Sequence, residues 1–263
     1  NFSIAAAFII VSFFVACQNS TSFAQSEPTQ NASNPTLPSS QSARVTYYVR
    51  PDGGSAEQCT GLVNAAYSGS GDHQPCAWEH PFQALPPGGS ARIQGGDTLI
   101  IGNGSYQMGY GAPGAENCEY EGSYDCTMSP IPSGTDANHP TRIFGEGWDT
   151  GCTTQPELWG SGRPFFMINM KGSSNVQVAC LEVTDHSSCI EDHLQGNASP
   201  YTCQRDAPPY GDWAAIGLYA EDSKNVLLKD LNIHGLANTG MQVGRLTDWT
   251  LENVHLVGNG WAG

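Results

Sequence analysis

The sequence predicts an all-β fold, a right-handed parallel β-helix, on three observations. The stretch from Ile216 to Gly235 returns without a gap from Thr239 to Gly258, 23 residues further on, with Leu218 falling on Met241, Leu228 on Leu251, Asp230 on Asn253 and Ile233 on Leu256. Within each copy three short runs alternate apolar with other residues (216–220, 225–229 and 231–234 in the first), the mark of strands with one buried face. Only 13% of the residues are charged and 31 of 263 are glycine, which suits short strands and tight turns rather than long helices.

The chain opens on an uncharged apolar run, residues 2–16. It is shorter than the ~20 residues that span a bilayer and matches the core of a signal peptide. Phe14-Val15-Ala16-Cys17 fits a bacterial lipobox with Cys17 as the lipidated residue; cleavage after Ala24 is the alternative. Without Met or a basic segment in front, the chain is expected to begin inside a longer leader. Residues 18–44 are Ser, Thr, Asn, Gln and Pro with little to bury, so they predict a flexible linker, with the folded domain starting near Val45. The expected address is the cell envelope, as a surface lipoprotein or a secreted protein, with the lipid anchor as the only membrane contact.

Cys59, Cys76, Cys118, Cys126, Cys152, Cys180, Cys189 and Cys203 make an even set beyond Cys17, as expected of disulfides in an exported chain. Short separations suggest 59–76, 118–126 and 189–203, which leaves Cys152 with Cys180. No Cys/His spacing typical of zinc occurs.

An earlier copy of the repeat begins at Phe166, 50 residues before Ile216, and the additional length is an inserted loop around residues 186–213. Stacking the copies predicts inward columns Ile168/Leu218/Met241, Val178/Leu228/Leu251 and Val183/Ile233/Leu256. Each turn buries its face only against its neighbours, so several turns are needed. Asp230 and Asn253 fall at the bend between second and third strands, where their side chains are expected to bond the backbone. Gly258-Asn259-Gly260-Trp261-Ala262-Gly263 stops mid-turn, so the natural protein is expected to continue.

Tyr47-Tyr48-Val49-Arg50-Pro51-Asp52-Gly53-Gly54, Pro81-Phe82-Gln83-Ala84-Leu85, Gly96-Asp97-Thr98 through Gly104-Ser105-Tyr106, and Ser133-Gly134-Thr135 through Thr141-Arg142-Ile143 resemble the opening of pectin-lyase-like β-helix proteins. The resemblance covers most of residues 45–263. It implies the fold and a groove along the outward side of the first strands, and it leaves the reaction open, because that superfamily includes lyases, hydrolases, epimerases and non-enzymes. The motifs shared by polygalacturonases (N-T-D, D-D, G-H-G, R-I-K) are missing. The lysines and Arg245 fall away from the groove, where a pectate-lyase base would be needed.

The outward column of that groove is Asn169, Tyr219 and Gln242, a polar stripe with one aromatic ring fit to stack on a sugar. The inserted loop holds the densest set of functional side chains: Asp185, His186, Glu191, Asp192 and His193, with Trp213 at its far end. Carboxylates beside imidazoles suit general acid–base chemistry, for which Asp185, His186 and His234 are the candidates. Glu191 and Asp192 are candidate Ca²⁺ ligands. Trp213 is a candidate substrate contact beside the groove. The bland alternative is a disulfide-pinned surface loop with its charges in water.

Twenty-five acidic against ten basic residues give a net charge of −15. Nucleic acid is thereby excluded as a partner, and a polyuronate would be repelled unless Ca²⁺ bridged it. The expected function is a monomeric carbohydrate-active β-helix, a polysaccharide lyase or glycoside hydrolase. The alternative is a non-catalytic surface module for polysaccharide binding or adhesion.

Overall fold

A computed structural model describes residues 44–119, 126–162, 164–187 and 213–261. The leader, Cys17, the linker, the Cys189 and Cys203 pair, and Glu191, Asp192 and His193 lie outside these residues. All nine strands belong to one sheet in which every pairing is parallel: β1 (Thr46–Gly54), β2 (Thr98–Ile101), β3 (Ser105–Gly109), β4 (Thr141–Gly145), β5 (Glu157–Ser161), β6 (Phe166–Asn169), β7 (Ser174–Asp185), β8 (Ile216–His234) and β9 (Thr239–Val257). One helical turn, α1 (Pro81–Ala84), interrupts them.

The strands stack in three columns, consistent with a parallel β-solenoid. The first column runs through β1, β2, β4, the early part of β7 and the middle of β8 and β9. The second takes β3, β5 and the ends of β7, β8 and β9. The third takes β6 and the starts of β8 and β9. β8 and β9 therefore visit all three columns, and their register carries the expected offset, with Leu228 beside Leu251 and Ile233 beside Leu256.

Alternation decides what is inside. Leu99, Ile143, Val178 and Leu228 are register partners along the first column and are all buried. Leu158, Val183 and Ile233 do the same in the second, and Ile168 and Leu218 in the third. Burial of each such side chain is worth about 1.5–3 kcal/mol. In β9, Leu251 continues the same inward column as the register partner of Leu228.

Single left-handed residues make the corners, stacked in register. Cys180, Asp230 and Asn253 have φ of 58°, 50° and 52°, and Asn175, Asn225 and Asp248 have φ of 55°, 53° and 55°. Asn and Asp tolerate this region better than other non-glycine residues. Asn253 Nδ2 donates to Asp230 Oδ1 at 2.7 Å, and Asn225 Nδ2 to Asn175 Oδ1 at 2.8 Å. The Asp230–Asn253 corner thus bonds side chain to side chain, where backbone bonding was expected. Amides cross-link the rungs along the edge because identical corners place them one above another.

Among the described residues three disulfides join Cys59 to Cys76 and Cys118 to Cys126, as their short separations suggested, and Cys152 to Cys180, the pair left by elimination. They fit an oxidising compartment. No helix among the described residues is long and apolar enough to cross a membrane. At the start of the first column Tyr47 stacks on Trp78, with ring centroids 5.0 Å apart, and the Trp78 indole donates to the Cys59 carbonyl at 2.9 Å.

Candidate functional site

The outward side chains of the second column form two rows. Ser105, Glu157, Glu182, Asn232 and His255 are successive register partners in one. Two residues further along each strand, Gln107, Trp159, Thr184, His234 and Val257 occupy the other; the Thr184–His234 step is the 50-residue offset of the β7–β8 register. Because Leu158, Val183 and Ile233 face inward, these residues must face out.

Two carboxylate–imidazole pairs stand on these rows. His186 Nε2 lies 2.7 Å from Glu157 Oε1, and its ring stacks on Trp159 with centroids 4.4 Å apart and planes 11° from parallel. The Ser105 hydroxyl donates to the other oxygen of Glu157. One rung on, His234 Nε2 lies 2.7 Å from Glu182 Oε1, and Nδ1 lies 3.3 Å from the Thr184 hydroxyl. Glu157 and Glu182 are themselves register partners, about 4.8 Å apart in strand spacing. Partial burial opposes ionisation of Glu157, but the bonds from His186 and Ser105 outweigh it and hold the carboxyl below its ordinary range.

His234, Asn232 and His255 also line an open cleft of about 750 Å³ together with Gly151, Cys152 and Gln155. That volume lies in the range of small-ligand sites. The rim is fixed: Gln155 Nε2 donates to the Asp230 carbonyl at 2.6 Å, and Cys152 is tied to Cys180.

Asp185 stands apart from both pairs. It is buried and accepts from the Ser187 and Ala214 backbone N–H groups at 2.7 and 2.8 Å. Burial raises its pKa to about 6 against the lowering effect of these bonds. Its geometry is that of a clasp joining the two ends of the inserted loop. Gly160, the register partner of Asp185, makes room for this clasp, since a Cβ there would sit 2.1 Å from that of Ala214.

On the expected groove, Asn169, Tyr219 and Gln242 are register partners as anticipated. Asn169, however, is buried, donating to the Met128 carbonyl at 3.1 Å, so the segment around Met128 covers that end of the stripe. Tyr219 stacks on Phe166 at 4.6 Å and donates to Glu221 at 3.0 Å, while Gln242 is exposed. Arg245 lies at the same corner as Asp222, paired with it and with Glu221 at 2.6 Å. Trp213 is 2% exposed, packed with Ala237 rather than open to a ligand.

Among the described residues no group of three or more His, Cys, Asp or Glu side chains is arranged to hold a metal ion. The sequence pointed to His186 and His234 but missed Glu157, Glu182 and Trp159. The first and last lie before the recognisable repeat; Glu182 lies inside it, where the repeat pattern gives no signal that singles it out.

The class defined by fold and site is an all-β protein with one parallel sheet and a lateral stripe of paired acids, imidazoles and one indole. Comparison with known proteins finds no matching family model, no matching curated protein and no matching solved structure.

Proposed function

We propose that this protein is an exported right-handed parallel β-helix of the pectin-lyase-like kind that engages a polysaccharide along its flank. The handedness follows the strong preference of parallel crossover connections. Export rests on the apolar run at residues 2–16, with Cys17 as the lipid anchor, and the disulfides are compatible with it.

The observation that carries the reading is the Trp159–His186 stack beside Glu157, one rung from His234–Glu182 and the adjoining cleft. An indole face and hydrogen-bonding acids and imidazoles are what a sugar ring requires. The same pairs supply a proton acceptor and a proton donor, which a lyase or hydrolase needs. The second reading, binding without turnover, is favoured by Asp185, whose two oxygens are already occupied by backbone donors.

The test is incubation with neutral and acidic polysaccharides, with and without Ca²⁺, following the ultraviolet absorbance of unsaturated products and the release of reducing ends. Both signals together mean a lyase; reducing ends alone mean a hydrolase. Retention on a polysaccharide without either signal means a binding module. Loss of any activity or retention in Trp159→Ala and His234→Gln locates it on this stripe, and no interaction with any glycan sinks the proposal.

A further inference from the structure

The geometry points to a separate ligand site on the first column: a cleft that takes a single carboxylate attached to a sugar-sized or aromatic ring, gripped by Arg44 and Arg142. This cleft of about 710 Å³ lies on a different column from the acid–imidazole stripe and does not depend on how that stripe works. Its floor is the outward row Thr46, Thr98, Arg142 and Gln177, successive register partners on β1, β2, β4 and β7. Two residues along the same strands, Tyr48 and Ile100 are register partners that also line the cleft, with Trp148 leaning on Phe144 at ring centroids 4.3 Å apart.

The cations are the informative part. Three of the described cations are paired with acids: Arg50 with Asp52, Lys229 with Glu252, and Arg245 with Glu221 and Asp222. Arg44 and Arg142 share one cleft, and among the described residues neither forms an ion pair. Arg142 Nε donates to Gln177 Oε1 at 3.1 Å, which orients the guanidinium and leaves its terminal nitrogens uncommitted. Arg44 spends one nitrogen on the Asn138 carbonyl at 3.3 Å. Burial and the neighbouring Arg44 both lower the pKa of Arg142, so the two like charges are held close at a cost that an anion between them would relieve. A planar carboxylate matches the guanidinium fork.

Selectivity comes from the opposite end. Glu146 and Asp149 line the cleft beside Trp148. A second negative charge carried further along a ligand would meet them, so a polyanion is disfavoured while one terminal carboxylate with a neutral ring against Trp148 and Tyr48 fits both ends.

The test is calorimetric titration of the purified protein with glucuronate, glucose, glucose 6-sulfate and a polyuronate, alongside the Arg142→Gln and Arg44→Gln variants. Saturable binding of glucuronate, absent for glucose and weakened about tenfold or more in Arg142→Gln at unchanged thermal stability, is the expected result. Glucuronate binding that survives in the double Arg variant overturns the site. Equal binding of glucose overturns the role of charge, and tighter binding of the sulfate ester or of the polyuronate overturns the single-carboxylate assignment. No saturable binding of glucuronate up to about 10 mM overturns the inference altogether.

Discussion

His234 and Glu182 meet at 2.7 Å across two adjacent rungs, with the Thr184 hydroxyl 3.3 Å from the other ring nitrogen. Both side chains are about one-third exposed, at 34% and 31%. Solvent screening therefore limits their mutual stabilisation to about 0.5–1 kcal/mol. A double-mutant cycle of His234→Gln and Glu182→Gln in urea denaturation is expected to return a coupling of that size. Any glycan binding or turnover on this stripe should fall about tenfold or more in the same variants. A coupling well above 2 kcal/mol would instead mark the pair as structural.

Leu228 is fully buried in its column, between Val178 and Leu251. Leu228→Ala is expected to cost about 3 kcal/mol, through lost transfer energy and a cavity. Leu228→Asp should unfold the domain by placing an unpaired charge in the stack. Denaturation midpoints of the two variants check the inward register directly.

The Cys180 corner offers a test of the ladder. Cys152 and Cys180 close a loop of 28 residues, for which chain entropy gives about 3–4 kcal/mol. Cys180 also occupies the left-handed position held by Asp230 and Asn253 in the next two rungs. Removing the bond as Cys152→Ala with Cys180→Asn should therefore cost about 1 kcal/mol less than Cys152→Ala with Cys180→Ala, because Asn tolerates the backbone and extends the amide ladder. Equal losses would show that the corner residue is indifferent.

His80 makes folding pH-dependent. It is buried, its Nδ1 accepting from the Phe82 N–H at 3.1 Å and its Nε2–H donating to the Gln107 carbonyl at 2.9 Å. Burial lowers its pKa from 6.5 to about 4. Between those values the unfolded chain binds the proton and the folded one does not. The stability from His80 is complete above about pH 6.5 and lost as pH falls toward 4, at most ~3 kcal/mol. Asp185 acts in the opposite sense: its carboxyl, raised from 3.8 to about 6, contributes stability in acid that is lost as pH rises through that window. In His80→Gln the drop in urea midpoint between about pH 7 and about pH 5 should shrink, or reverse in sign as Asp185 takes over. An unchanged drop would assign the acid sensitivity elsewhere.

By itself the sequence determined the strand-rich class, the 23- and 50-residue registers and, through short separations, the Cys59–Cys76 and Cys118–Cys126 pairs. The reason is local: period-two alternation orients each side chain, and a near-gapless repeat leaves one way to stack neighbouring rungs. Only the tertiary structure decided the site. His186 reaches Glu157 and Trp159 because β5 and β7 are brought into register across an irregular connection that belongs to no repeat. Asn169 left the expected groove because the Met128 segment packs over it, and Trp213 turned inward for packing of the same non-periodic kind. A pattern in the chain specifies which face a residue lies on; which other segment covers that face depends on how the intervening loops close.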